Sequence, residues 1–420
     1  MKLLSTTIFS GITAFVKVAS GFVATKVISS FAGPAGVALV GSLTNFMAVV
    51  LSLANGSINS GVVKYTAEYK NDKRKSKVLY DTSLFISVFC SVIVSVVLLL
   101  FSKYWSLKIF HSESYRSVIL LLGVGMIFYS LNTIILNILN GLGYIKKFTV
   151  INGLSSFFTL LLTVGLIYYY EIFGALYALV LAQFAVFFVA VLLVWKKLKH
   201  HLSLDFLKPN LQTIKNLSHF SLMVGVSSVC APLAQILIRN MITQEIDLNS
   251  AGIWQGLIRI SDGYLLVIQI TLGTYFLPKL SSLKDWFEIR KEIFNGIKFL
   301  APLFLLMCVM VYFFRFYIIE ILYNEKFASM EELFFWQLAG DFFKVISMVF
   351  TYLMLSKVMT KMFIFTEVFF SALYVCLSFV FLKKMGIQGT TFAFFINSLM
   401  CLIFVASVFV KRLFRNYNKA

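Results

Sequence analysis

Two pairs of opposite charges stand three residues apart inside otherwise apolar stretches: Arg259 with Asp262, and Asp341 with Lys344. That spacing places both members of a pair on one face of a helix. Ionisable groups in hydrocarbon are costly, so each faces a partner, a cavity or the membrane edge. Two chemistries fit. Either each pair neutralises itself locally, or the two faces line a polar cavity where Arg259 and Lys344 hold an anion and nearby carboxylates reset them or carry a coupling ion. Glu367 is the third acid of this set. Lys17 lies near the middle of the first apolar stretch with no acid within four residues, which makes it the strongest lone candidate for an anion contact. Lys26 points about 180° away from Lys17 on the same helix and sits near its end, where lysines reach for headgroups. Lys298 is placed similarly, and Lys64, closing the next stretch, fits an interface anchor as well as a gate.

Amides form the second group. Asn45, Asn55 and Asn59 stud one apolar stretch, and Asn132, Asn137 and Asn140 another. The last three span an arc of about 140° on a helix. Interhelical hydrogen bonding accounts for such residues at about 0.6 kcal/mol each. A lining for sugar hydroxyls accounts for them too, because an amide both donates and accepts; Asn55, Asn59, Asn132, Asn137 and Asn140 are the candidates.

The elements that must position these groups are membrane helices. Hydrophobic residues make up 60% of the chain and charged residues 13%, with a mean hydropathy of +0.88; a soluble domain carries about 25% charged residues. Stretches of about 20 apolar residues cross a bilayer. Twelve are predicted: roughly 5–29, 37–61, 82–102, 117–140, 148–169, 173–195, 217–243, 252–277, 293–314, 333–356, 362–382 and 387–410. Lysine and arginine alternate with them. Lys70, Lys73, Arg74, Lys75 and Lys77 crowd one connection and Lys196, Lys197, Lys199, Lys208 and Lys215 another, while the alternate connections hold scattered residues such as Lys103, Arg116, Arg239 and Arg315. The bias predicts a multi-pass membrane protein with both termini cytoplasmic. The net charge of +19 therefore reads as cytoplasmic loops in contact with membrane lipids, with no nucleic acid partner. A short surface helix is expected near Tyr317–Glu332.

Ile172–Ala178 reappears loosely as Ile387–Ala393 about half a chain later, and the same offset pairs Gly125 with Gly340 and Lys146 with Lys361. Internal duplication is a recurring plan of transporters. Six spans per half make the repeat parallel. The domains expected are 1–199 and 216–420, joined by a basic cytoplasmic linker at 200–215.

Enzyme signatures are missing. The sequence has no G-x-x-x-x-G-K-[ST] loop and no H-E-x-x-H. Its five cysteines lie in apolar stretches without C-x-x-C, and its four histidines lie at span ends or in loops. No metal site and no cofactor are expected. The chemistry is movement of a solute without covalent change.

Several strings carry a family resemblance: Phe31–Gly36, Gly61–Tyr69, Gly252–Gly256 with Ile260–Asp262, and Lys326–Asp341. They resemble the Wzx-type flippases, nearest the enterobacterial lipid III branch, along the whole chain. The resemblance implies the multidrug/oligosaccharidyl-lipid/polysaccharide exporter fold, all-α, with two six-helix bundles around a central V-shaped cavity. It implies a substrate of undecaprenyl pyrophosphate carrying an O-antigen or common-antigen unit. It also implies the polymerase and chain-length regulator of the same pathway as partners. Lys17, Lys26, Lys64 and Lys344 match the family's lysines in kind, as Asp262 and Asp341 match its aspartates; Arg259 is a departure. A multidrug exporter of the same fold is the alternative, disfavoured because cations outnumber acids within the spans. A major-facilitator carrier would show G-x-x-x-D-[RK] where this chain reads Lys64–Lys75. A polymerase or glycosyltransferase would need longer outer loops.

Overall fold

The computed structural model describes residues 3–198 and 209–415, and among these every regular element is helical. In chain order the helices are α1 (Leu3–Ala54), α2 (Asn59–Glu68), α3 (Lys73–Leu100), α4 (Ser102–Phe110), α5 (Arg116–Gly141), α6 (Ile145–Leu198) and α7 (Leu211–Glu245). They continue as α8 (Leu248–Thr271), α9 (Leu277–Ser282), α10 (Trp286–Phe313), α11 (Arg315–Leu322), α12 (Phe334–Ser356), α13 (Thr360–Met385) and α14 (Gln388–Arg415). Ten helical stretches are long and apolar enough to cross a membrane. Two of them are double: α1 breaks at Gly33 (φ 61°, ψ −162°) and α6 at Glu171 (φ 50°, ψ −129°). The twelve predicted spans are thus present, with two pairs fused through single-residue turns. At the first turn Pro34 follows Gly33, where a first helical residue needs no N–H partner.

The chain forms two compact units, Met1–Ala32 with Leu39–Ile236, and Gly33–Ala38 with Leu237–Ala420. The expected linker falls largely on 199–208, outside the described residues, and α7 is already helical from Leu211.

In unit 1 the packing seam runs along α3. Ser83, Ser87, Ser91 and Ser95 recur every fourth residue and are buried, while Phe89, Ile93, Val96 and Leu100 are exposed. That inverts a soluble helix, as a lipid solvent requires. Small residues let backbones close in, and hydroxyls find interhelical acceptors: Ser95 Oγ donates to Gly123 O on α5 at 2.5 Å. The predicted second span is shorter than expected. It ends at Ala54, because Gly56 (φ 56°) and Ser57 (φ 55°) turn the chain before α2 begins at Asn59. A Cβ on Gly56 would lie 2.9 Å from Ile86, so α3 packs hard against this turn.

In unit 2, α12 packs against α8, α10, α13 and α14. The lipid-facing side of α10 exposes Phe299, Leu303, Leu306 and Phe313. The π-helical segment Leu272–Phe276 follows α8, and the surface helix expected near Tyr317 is α11 with a following 3-10 stretch, Glu325–Leu333.

The internal repeat holds at atomic detail. Gly386 (φ 60°, ψ −148°) turns the chain between α13 and α14 at the position equivalent to Glu171 in α6. A Cβ on Gly174 would lie 2.0 Å from Leu166 O, and one on the matching Gly389 would lie 2.1 Å from Phe381 O. The two helical hairpins are built alike.

Candidate functional site

The charged residues of unit 2 gather on α8 and α12. Asp247 caps α8, accepting from Ser250 N at 2.6 Å. Glycine then brings a neighbour close: Tyr323 crosses α8 at Gly256, where a Cβ would meet its ring at 3.2 Å, and its hydroxyl donates to Gly256 O at 2.9 Å. One turn on, Arg259 lies within electrostatic reach of Tyr323 and Asp262. Gly340 plays the same part on α12, which approaches Phe394 and Phe395 of α14.

Asp341 is the centre of the cluster and is wholly buried. Its Oδ2 accepts from Ser261 Oγ, from Tyr264 OH at 2.5 Å and from Gln337 Nε2 at 3.3 Å. Its Oδ1 is buried and receives no donor. Lys344 acts electrostatically on both Asp341 and Asp262, and its Nζ lies 5.3 Å from the centre of the Phe394 ring. Neither same-helix pair closes into an ion pair. The dominant charge acting on Asp262 is Lys344 across the helix interface, ahead of Arg259 on its own helix.

Asp262 is exposed, Arg259 and Lys344 are half-buried, and Asp341 is wholly buried. Glu367 on α13 and Lys344 both act electrostatically on the Cys401 thiol of α14, which also contacts Ser347. This arrangement offers an anion two partly exposed cations on neighbouring helices. Beside Lys344 on α12, a buried carboxyl group with one oxygen that receives no donor is fit to take up a proton or to balance Lys344.

The other sequence candidates belong to unit 1. Lys17 and Lys64 are exposed and Lys26 is half-buried; Lys64 Nζ stands 5.0 Å from the Tyr65 ring centre. Asn59 and Asn137 bond each other, Nδ2 of Asn137 donating at 2.9 Å. Asn55 and Asn132 are buried and offer no surface to a solute in this conformation, whereas Asn140 is exposed. Asn45 donates to Gln235 at 2.9 Å.

Arg239 is a correction. Expected in an outer connection, it lies within α7, 1% exposed, donating to Gln255 and stacked near Trp254 at 5.9 Å. Its glutamine partner and aromatic neighbour on α8 replace the water it was expected to meet. The reading also passed over Ser261, Tyr264 and Gln337. Their signal was faint: Ser261 and Tyr264 are three apart on α8, and Gln337 precedes Asp341 by four on α12.

Comparison with known proteins follows this geometry. The fold is that of a multidrug resistance MATE family transporter of the MOP superfamily. Its inward-facing structure matches with a TM-score of 0.78 at 16% identity, over 95% of this chain and 98% of that one. An outward-facing structure matches with a TM-score of 0.72 at 15% identity, over 100% and 96%. With its ten membrane-length helical stretches, the molecule is a multi-pass membrane protein. More narrowly, the chain belongs to the polysaccharide biosynthesis protein family, whose pattern matches residues 39–332. The lipid III flippase of Escherichia coli strain K12 is 29% identical over 376 residues, 88% of each chain.

Proposed function

We propose that the chain is a flippase that carries an undecaprenyl-pyrophosphate-linked oligosaccharide, an O-antigen or enterobacterial common antigen unit, from the cytoplasmic to the periplasmic leaflet by alternating access. The observation that carries this reading is the pair of half-buried cations Arg259 and Lys344 on α8 and α12 of unit 2, with the wholly buried Asp341 beside Lys344 on α12. A pyrophosphate must shed water to cross hydrocarbon, and buried cations offset that desolvation. A pocket for cationic drugs would carry the opposite charge balance. The E. coli relative's name and the polysaccharide family support the same substrate class.

In this reading Lys344, Arg259 and Lys17 meet the pyrophosphate during transfer, with Lys26 and Lys64 as further contacts. Asp262, Asp341 and Glu367 release it by competing for the cations, and Asp341 or Glu367 carries a coupling ion. Asn59, Asn137 and Asn140 offer amides to the sugars, whereas Asn55 and Asn132 would do so only after the helices part. The protein sits in the bacterial inner membrane with both termini in the cytoplasm, and hands its cargo to the polymerase and chain-length regulator of the pathway.

Complementation tests the reading. A strain lacking its own lipid III flippase regains surface polysaccharide when this chain is expressed, and loses it again with Lys17→Ala or Lys344→Ala at matched protein levels. Normal polysaccharide with both variants would refute the cationic path.

A further inference from the structure

A polar stripe on α8 extends past the charged cluster of unit 2. Beyond the first turn of that helix its charged and amide side chains are Gln255, Arg259, Asp262 and Gln269. At 3.6 residues per turn all four fall within an arc of about 80°. Gln255 is buried and accepts from Arg239. Gln269 is different: it is exposed, and its side-chain amide has no hydrogen-bond partner among the described residues. Its backbone carbonyl accepts from Tyr352 OH of α12 at 3.0 Å.

That free amide lies within the membrane-length stretch Leu248–Ser282, between Ile268 and Ile270. Hydrocarbon offers an amide neither donors nor acceptors, so holding it against lipid tails is costly. Gln269 shares its side of the helix with Asp262, two turns back and also exposed. The exposed Val267, about 160° round the helix from Gln269, marks the side that meets lipid. The amide therefore serves water or a polar solute.

The neighbourhood suits a neutral, hydroxyl-bearing ligand. Tyr352 is half-buried, and its hydroxyl, spent as a donor on Gln269 O, keeps its acceptor lone pairs. Beyond Gln269, α8 widens into the π-helical segment Leu272–Phe276, closed by Leu277 N donating to Leu272 O; such segments recur at functional sites. A Cβ on Gly273 would make only ordinary contact with Tyr352, 3.6 Å from its hydroxyl. Packing does not demand this glycine, and its missing side chain leaves the backbone open to a ligand.

Position supplies the rest. α8 and α12 run side by side in the same direction, tied where Ser261 donates to Asp341 and again where Tyr352 donates to Gln269. From Arg259 to Gln269 the rise is about 15 Å, and from Lys344 to Tyr352 about 12 Å. A pyrophosphate held by the two cations does not reach that far, nor does a sugar joined directly to it, whereas the outer sugars of an oligosaccharide do.

We propose that Gln269, with Tyr352 and Gly273 beside it, binds the hydroxyls of the outer sugars while Arg259 and Lys344 hold the pyrophosphate. The site rests on the flippase reading and adds glycan length to it: unit 2 distinguishes a lipid carrying a full oligosaccharide from one carrying a single sugar, through an amide that donates to one hydroxyl and accepts from another.

The test is binding of two probes to the purified full chain in detergent: undecaprenyl pyrophosphate with the complete oligosaccharide, and the same lipid with its first sugar alone. The wild type should bind the first about 10-fold more tightly, the worth of one or two hydrogen bonds. Gln269→Leu should erase that preference without changing affinity for the single-sugar lipid, whereas Lys344→Ala should weaken both. Thr271→Val, on the other side of α8 with its hydroxyl bonded to Val267 O at 2.9 Å, should change neither. A wild type without the preference, a Gln269→Leu protein that keeps it, or one that weakens both lipids equally would overturn the subsite; where Gln269→Leu does not fold, Gly273→Ala decides on the same criterion. A wild type that binds neither lipid refutes the flippase reading, and the subsite with it.

Discussion

The interiors of the two units solve the same packing problem with different chemistry. Apart from Asp81 on α3, the buried polar groups of unit 1 are mainly hydroxyls and amides: the serine seam of α3, Asn55 against Ser87 and Ser130, and Asn59 against Asn137. Unit 2 holds full charges at Arg259, Asp262, Asp341 and Lys344. Across the internal repeat, Asp341 answers Met126, Lys344 answers Tyr129 and Glu367 answers Asn152. Met126 is fully buried without needing a partner, and Asn152 satisfies itself on Phe148 O at 2.8 Å. Yet a Cβ on Gly174 or Gly389 would meet the equivalent carbonyl oxygens, of Leu166 and Phe381, at 2.0 and 2.1 Å. The difference teaches that the two copies share helix geometry, while at these three positions the charged chemistry belongs to one of them.

The sharpest way to break the shared part is at those glycines. Gly174→Ala and Gly389→Ala should each cost about 3 kcal/mol or more, the upper range for overpacking, because a methyl group there collides with backbone that cannot rotate away. Thermal unfolding should show similar losses in both; a tolerant Gly389→Ala beside an unfolded Gly174→Ala would disprove the equivalence of the hairpins. The unshared part is tested next. Asp341→Asn keeps the shape and the three donors but removes the charge, and should lower lipid transfer by more than about 10-fold, or 1.4 kcal/mol, with the protein still folded. Met126→Leu at the equivalent place should leave transfer unchanged. Equal effects at the two positions would erase the contrast.

Smaller effects belong to the scaffold. Ser95→Ala removes the hydroxyl that binds Gly123 O and should cost about 1 kcal/mol of stability with transfer rates intact. Least of all, Lys383→Ala breaks the exposed bridge to Glu245, which spans 3.8 Å, and should shift stability by less than about 0.5 kcal/mol.

Much of this was legible in the sequence, for identifiable reasons. Hydropathy and charge alternation found the spans because a bilayer imposes one length and one solvent on every helix. The duplication showed in Ile172–Ala178 because a one-residue turn with close backbone contact demands glycine at Gly174 and Gly389. The charges of unit 2 were visible because any charge in an apolar stretch is. Their partners were not. Helical spacing suggested that Asp341 would pair with Lys344, but the donors to Asp341 include Ser261 and Tyr264 on another helix, and which helix faces which is a property of packing. Ser87 and Ser130 were hidden for the same reason, since serine in a membrane helix usually bonds its own backbone. Arg239 was misplaced because a position near a span end looks like the membrane edge until Gln255 and Trp254 are seen to enclose it.

The central claim is that the added charge of unit 2 handles the pyrophosphate. Reconstituted protein in liposomes loaded with undecaprenyl-pyrophosphate oligosaccharide, scored for appearance of the sugar in the opposite leaflet, tests it directly. Transfer by Lys344→Ala should fall at least about 10-fold, while Tyr129→Phe at the matching position of unit 1 transfers as the wild type does. A folded Lys344→Ala protein that moves the lipid at the wild-type rate would contradict the account.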